Sequence, residues 1–275
     1  MDWWQALVLG IVQGATEYIP VSSSAHLVLV PWLFNWSQPA SDAAFAFDVL
    51  VQWGTLVGVF AYFWRDIWQI VRHVLGGIAR RQPLATPQAR LGWAVVLGSL
   101  PAAAAGLKLK DAVEAVFAKP IYVAVLLFGT TIILLLADRF GRRQRSLAHL
   151  GWLDALVIGI WQVAALLPGI SRSGATIGGA MLRNFDRTSA ARFSFLLSVP
   201  ALLGAGLLSI RDLAETGNLS AQLPTLTLGF LAAALTGYLC IRWLLAYLVR
   251  HSLSVFAYYC ALLGAACLVY GWIVA

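Results

Sequence analysis

Two short polar stretches interrupt otherwise apolar sequence, and both hold residue types that can do chemistry. The first reads Gln13-Gly14-Ala15-Thr16-Glu17-Tyr18-Ile19-Pro20-Val21-Ser22-Ser23-Ser24-Ala25-His26. Gln13 and Glu17 are four apart and share a helix face. Pro20 ends that helix. Ser22 is then placed to cap a returning helix, whose free N–H groups favour an anion. Ser23 and His26 are three apart, on one face of its first turn. A carboxylate, a hydroxyl and an imidazole in one turn suit a serine nucleophile with acid–base help, or a carboxylate-held metal. The second stretch, Pro168-Gly169-Ile170-Ser171-Arg172-Ser173-Gly174-Ala175-Thr176, is a small-residue turn opening another helix. Gly169 and Gly174 let backbone approach a ligand. Ser171, Ser173 and Thr176 offer hydroxyls, and Arg172 offers forked donors suited to phosphate oxygens.

The elements that carry these stretches belong to a membrane. The chain has 275 residues, of which 60% are hydrophobic and 11% charged, with a mean hydropathy of +0.80. Soluble domains carry about 25% charged residues, so soluble, disordered and coiled-coil classes are excluded. Six runs, near 46–64, 91–107, 118–137, 193–210, 224–248 and 253–273, reach or approach the roughly 20 apolar residues of a span. Trp3 to Phe34 and Trp152 to Leu182 are also apolar, but the two polar stretches cut them into halves too short to cross. Each is expected to be a re-entrant helical hairpin, tolerated at membrane depth where protein or a cavity covers it. The fold class is therefore all-α: a single polytopic membrane domain over 1–275, with six transmembrane helices and two re-entrant hairpins.

The charges test that count. With same-side hairpins, fourteen arginines (Arg65, Arg72, Arg80, Arg81, Arg90, Arg139, Arg142, Arg143, Arg145, Arg183, Arg187, Arg192, Arg242 and Arg250) share one face with Asp66, Asp138, Asp154 and Asp186, a net +10. That face is cytoplasmic by the positive-inside rule. The other receives Lys108, Lys110, Lys119 and Arg211 against Asp2, Asp42, Asp48, Asp111, Glu114, Asp212 and Glu215, a net −3. Both termini then lie outside. Glu17 and Arg172 cancel in the middle, so the overall +7 is topology and not a sign of nucleic acid. The loop 76–90 reads as a basic connector near anionic headgroups. The N-terminus has no basic region or cleavage site of a removable signal. Cys240, Cys260 and Cys267 lack zinc spacing and read as buried apolar residues.

The first hairpin repeats. Trp3-Trp4-Gln5-Ala6-Leu7-Val8-Leu9-Gly10-Ile11-Val12-Gln13 aligns with Trp152-Leu153-Asp154-Ala155-Leu156-Val157-Ile158-Gly159-Ile160-Trp161-Gln162. The same register pairs Ser22 with Ser171, Ser24 with Ser173 and Ser23 with Arg172. Weaker matches follow: Phe45-x-Phe47 with Phe193-x-Phe195, and Arg65-Asp66 with Arg211-Asp212. Each repeat, about 1–148 and 149–275, holds one hairpin and three spans. Three is odd, so the second copy is inverted and the tips meet near the midplane, a recurrent way to build an ion or substrate site.

Bland readings exist for single residues. Hydroxyls in membrane helices commonly bond backbone, and His26 alone could be a satisfied core group. Glu17 and Arg172 each cost about 2.5–3.5 kcal/mol at a bilayer centre, so function is their default reading. A purely structural Glu17–Arg172 pair would explain neither His26 nor the two hydroxyl-rich turns. Asp48 and Gln52, four apart near the outer end of the first span, are either an interfacial polar pair or a gate, or supply a second carboxylate for a metal.

Gln13-x-x-x-Glu17 with Pro20-Val21-Ser22-Ser23-Ser24-Ala25-His26, followed by Pro168-Gly169-x-Ser171-Arg172-Ser173-Gly174-Ala175-Thr176, resembles the undecaprenyl-diphosphatase family, membrane phosphatases also called bacitracin-resistance proteins. The resemblance covers essentially the whole chain, including Phe63-Trp64-Arg65 and Phe193-Ser194-Phe195-Leu196-Leu197-x-Val199-Pro200. It implies hydrolysis of undecaprenyl pyrophosphate to undecaprenyl phosphate and inorganic phosphate, which recycles the lipid carrier for peptidoglycan in the bacterial inner membrane. It also implies a divalent cation, Mg2+ or Ca2+. The family's acidic motif begins with Glu or Gln. This chain has Gln13, which leaves Glu17 as the principal acid; Ala25 stands where Gly is usual. The implied catalytic residues are Glu17, Ser23, His26 and Arg172, with Gln13, Ser22, Ser24, Ser171, Ser173, Gly174 and Thr176 around the substrate and Glu17 and Asp48 toward a metal. Either Ser23 attacks phosphorus or it positions a water, with His26 or Glu17 taking the proton. The implied partners are the polyprenyl pyrophosphate and membrane lipids, with a homodimer as a candidate assembly. On architecture alone the rivals are a secondary transporter or polyprenyl-phosphate flippase, or a structural or receptor membrane protein.

Overall fold

The computed structural model describes residues 1–36, 41–214 and 223–274, and within the helices all side chains except those of 41–46, 110, 111, 114 and 208–214. Of the charges assigned above to the outer face, Glu215 and the side chains of Asp42, Lys110, Asp111, Glu114, Arg211 and Asp212 lie outside the described residues.

The described chain is helical: α1 Trp3–Tyr18, α2 Ser23–Leu33, α3 Ser41–Ala79, α4 Pro87–Phe117, α5 Pro120–Phe140, α6 Trp152–Ala164, α7 Arg172–Leu182, α8 Arg187–Ala214, α9 Leu223–Leu248 and α10 Ser254–Val274. Six are long and apolar enough to span a bilayer: α3, α4, α5, α8, α9 and α10. The chain is an all-α, multi-pass membrane protein. Several helices outrun their apolar stretches. The run ending at Trp64 is expected to close the first span, yet α3 bends at Phe63 (φ −96°, ψ 18°) and continues to Ala79. Arg65 and Asp66 end hydrophobicity just past that kink, and the backbone is helical again through them.

Each broken stretch folds as two short helices side by side. In the first, the Trp4 and Trp36 rings meet edge-on at 4.9 Å, closing the open end. In the second, Arg183 donates to Asp154 at 2.8 Å and does the same. Both leading helices start alike. Gln5 accepts from the Asp2 N–H (2.9 Å) and Asp154 from the Gly151 N–H (3.0 Å), at repeat-equivalent positions.

Packing partners correspond between the two halves of the chain. The leading helix α1 packs on α9 and its counterpart α6 on α4, while α3 pairs with α8 and α5 with α10. Glycine sets the first of these contacts. A methyl on Gly10 would overlap the Gly229 carbonyl, and one on the equivalent Gly159 would overlap that of Gly98. A Cβ on Gly14 would come nearly as close to the Ala233 carbonyl. Small residues let membrane helices approach closely, where dispersion replaces a hydrophobic driving force.

One end of the bundle is laced with ion pairs. Asp154 takes Arg145 and Arg183, Asp138 takes Arg143 and Arg187, and Asp66 takes Arg192. Asp138 also accepts from the Leu253 N–H (2.6 Å) and the Ser254 hydroxyl (3.1 Å). It thereby joins the end of α5 to the starts of α8 and α10.

Candidate active site

Turn chemistry places the polar residues. Ile19 leaves α1 in an extended conformation, and Pro20 cannot continue the helix. Ser22 takes φ 70°, ψ 93° and caps α2, its hydroxyl accepting from the Ala25 N–H (3.4 Å). At the second turn Gly169 has φ +110°, where a side chain would be strained and would also strike Leu126 and the Val123 carbonyl. Ser171 caps α7 by accepting from the Gly174 N–H (3.0 Å). The repeat-equivalent pairs Ser22–Ser24 (3.2 Å) and Ser171–Ser173 (3.1 Å) each join hydroxyl to hydroxyl. Arg172 therefore opens α7 as Ser23 opens α2.

The two turns touch. Arg172 Nη2 donates to Glu17 Oε1 at 2.5 Å, and Ser173 Oγ donates to the Ile19 carbonyl at 3.4 Å. The other carboxylate oxygen, Oε2, accepts from Ser23 Oγ at 2.6 Å and from Gln13 Nε2 at 3.0 Å. Glu17 is 7% exposed, so a carboxylate, a guanidinium and a hydroxyl form one connected, largely desolvated cluster. Among the described residues two groups in it have no partner: Gln13 Oε1 and Arg172 Nη1 are buried and make no hydrogen bond there. A buried donor and a buried acceptor left open in one cluster cost stability and fit a ligand carrying both an anion and a cation.

His26 faces elsewhere. Its Nδ1 lies 2.7 Å from the Ser22 carbonyl and its Nε2 2.8 Å from the Tyr259 hydroxyl. Among the described residues no hydrogen bond joins it to Ser23 or Glu17. Thr176 donates to the Arg172 carbonyl (2.8 Å) and meets Ser194 Oγ at 2.6 Å, on the α8 side of the tip. Asp48 and Gln52 stand on α3, and among the described residues no side-chain hydrogen bond joins either to the tips. Among the described residues no three His, Cys, Asp or Glu side chains gather as a metal cluster. The oxygens that fit a hard cation are the Glu17 carboxylate and the open Gln13 Oε1. Mg2+ commonly takes one or two protein oxygens and completes its shell with substrate phosphates and water.

A family model described as bacitracin resistance protein BacA matches residues 6–266. The chain belongs to the bacitracin resistance protein family. Among its relatives, a protein of Thermomicrobium roseum named undecaprenyl-diphosphatase is 48% identical over 271 residues, covering 96% of each chain. Proteins of the same name from Chlorobaculum tepidum and a Nocardioides species are 41% and 39% identical, over 96% and 98% of this chain and 95% and 96% of their own.

In this bacitracin resistance family member, three supporting groups escaped the motif reading. Thr130 donates to the Gly169 carbonyl and accepts from the Ser171 N–H, both at 2.8 Å, clamping the second turn to α5. Its signal was the Thr130-Thr131 pair inside an apolar run. Tyr18 ties α1 to α3 through the Thr55 carbonyl (2.8 Å). Tyr259, on α10, gave no local signal at all.

Proposed function

We propose that this chain hydrolyses undecaprenyl pyrophosphate to undecaprenyl phosphate and inorganic phosphate, recycling the carrier for peptidoglycan synthesis and conferring bacitracin resistance. The observation that carries the reading is the Glu17 carboxylate, held by Arg172 and Ser23 where two helix starts meet. The relatives' shared name, over nearly the full chain, agrees with it.

The prenyl tail lies among the spans and the pyrophosphate enters between the tips. Arg172 Nη1 donates to its terminal phosphate, supported by the first turns of α2 and α7. Ser23 Oγ attacks the terminal phosphorus and its proton passes to Glu17 Oε2, already 2.6 Å away. The bond to the bridging oxygen breaks, and undecaprenyl phosphate leaves as an anion that needs no proton. Water then attacks the phosphoserine and gives its proton to His26, while Ser23 Oγ leaves and recovers the proton held by Glu17. A divalent cation, Mg2+ or Ca2+, would be held by Glu17 and Gln13 Oε1, with Asp48 the further carboxylate to test, and would supply charge neutralisation at the phosphate oxygens. Positioning and electrostatics do most of the work in phosphoryl transfer.

The ion-paired end of the bundle is taken as cytoplasmic, which puts both termini on the periplasmic side of the inner membrane and makes the two hairpins re-entrant from opposite faces. The correspondence of packing partners between the halves supports an inverted repeat. That same feature favours a second reading, transport or flipping of polyprenyl phosphates. Purified protein with undecaprenyl pyrophosphate and Mg2+ separates the two. Phosphate release that is lost in Glu17→Ala and Ser23→Ala, with a phosphoserine trapped at Ser23, supports hydrolysis. Uptake into proteoliposomes without phosphate release rejects it, and turnover retained by Ser23→Ala rejects the serine nucleophile. Particle mass in detergent tests the homodimer.

A further inference from the structure

His26 is 5% exposed, and its Nε2 bonds the hydroxyl of a residue that is itself partly exposed. Its Nδ1 faces the Ser22 carbonyl at 2.7 Å. A carbonyl only accepts, so Nδ1 carries the proton and Nε2 is left as the lone-pair nitrogen. Tyr259 donates to that nitrogen at 2.8 Å. The two rings lie nearly parallel, at 4° with centroids 5.7 Å apart, so the contact fixes ring plane as well as hydrogen bond. Tyr259 is itself 44% exposed, on α10. The two side chains thus hold each other across α2 and α10. The acceptor nitrogen is aimed by a residue 233 positions away, outside both tip motifs.

We propose that Tyr259 is a positioning residue for the hydrolysis. Its hydroxyl holds His26 as the Nδ1–H tautomer with Nε2 turned toward α10, and releases that nitrogen to the attacking water during turnover. The inference rests on the hydrolase reading above and on His26 as the base for the second step. It adds that α10, which contributes nothing to either motif, sets the bearing of that base.

The test is a double-mutant cycle on purified protein with undecaprenyl pyrophosphate and Mg2+. Tyr259→Phe keeps the stacked ring and removes the hydroxyl. It is expected to lower kcat about tenfold, the scale of one net hydrogen bond, with KM changed less than twofold. In a His26→Ala background, whose residual turnover is the reference, the same change is expected to alter kcat less than twofold, because the nitrogen it positions is gone. Nitrogen-15 NMR of labelled histidine should place the His26 proton on Nδ1 in the parent and give mixed tautomers in Tyr259→Phe. Unchanged kcat in Tyr259→Phe overturns the proposal. So does an equal loss in both backgrounds, which would mark a packing role. Absence of hydrolysis by the parent protein would instead reject the hydrolase reading itself.

Discussion

Glu17 has one carboxylate and three donors, and that arithmetic sets what substitutions around it do. Arg172 spends Nη2 on Glu17 and leaves Nη1 open. Lysine can supply charge but not two donors in a fixed fork. Arg172→Lys is therefore expected to lose about 10–100-fold in kcat/KM while folding normally, read from phosphate release, in line with the roughly 1.5–3 kcal/mol of a charged hydrogen bond. Arg172→Ala strands a buried carboxylate and should destabilise by about 3–5 kcal/mol, visible as a lowered midpoint in thermal unfolding. Gln13→Glu replaces the open amide oxygen by a carboxylate one turn from Glu17. Half-saturation should then fall to lower Mg2+ concentrations, and an unchanged titration would remove Gln13 from the cation site.

At the scale of elements, close helix approach and paired charges hold the tips in place. A Cβ on Gly14 would sit 2.6 Å from the Ala233 carbonyl, and Gly14 adjoins Gln13 on α1. Gly14→Val should push α1 off α9, costing about 1–3 kcal/mol as overpacking does, and should reduce turnover by shifting Gln13 and Glu17. The second hairpin is pinned at its base. Burial pushes the Asp154 carboxyl up, but hydrogen bonds from Arg145, the Gly151 N–H and Arg183 outweigh it and bring it down to about 2. A carboxyl held below its unfolded value stabilises fully above that value, near pH 4, and loses the contribution as pH falls through 2. Thermal stability should therefore drop between pH 4 and pH 2, and Asp154→Asn should flatten that drop while lowering stability at neutral pH. The helices themselves were legible as apolar runs. Their ends were less so: α3 outlasts Arg65 because a charge stops hydrophobicity and not hydrogen bonding.

For the whole molecule, the sorting of charge makes a directional claim. Cysteines placed at Asp2 and at Arg81 should label with an impermeant thiol reagent from opposite sides of intact cells, Asp2→Cys from outside and Arg81→Cys only after lysis. Labelling of both from one side would overturn the proposed orientation. The amino-acid sequence by itself determined the membrane class, the six long apolar helices, the two broken stretches and the polar residues at their turns. Those follow from local rules: apolar length, proline and glycine, and the cost of a charge in hydrocarbon. Only the tertiary structure decided which polar groups meet. Glu17 and Arg172 are 155 residues apart and bond directly, whereas Ser23 and His26, three apart, point to different partners, Glu17 and Tyr259. Sequence spacing fixes which face of a helix a side chain leaves from, but its partner is whatever another helix brings within about 3 Å. In this chain that is settled by glycine contacts and salt bridges, some within the motifs and some outside them.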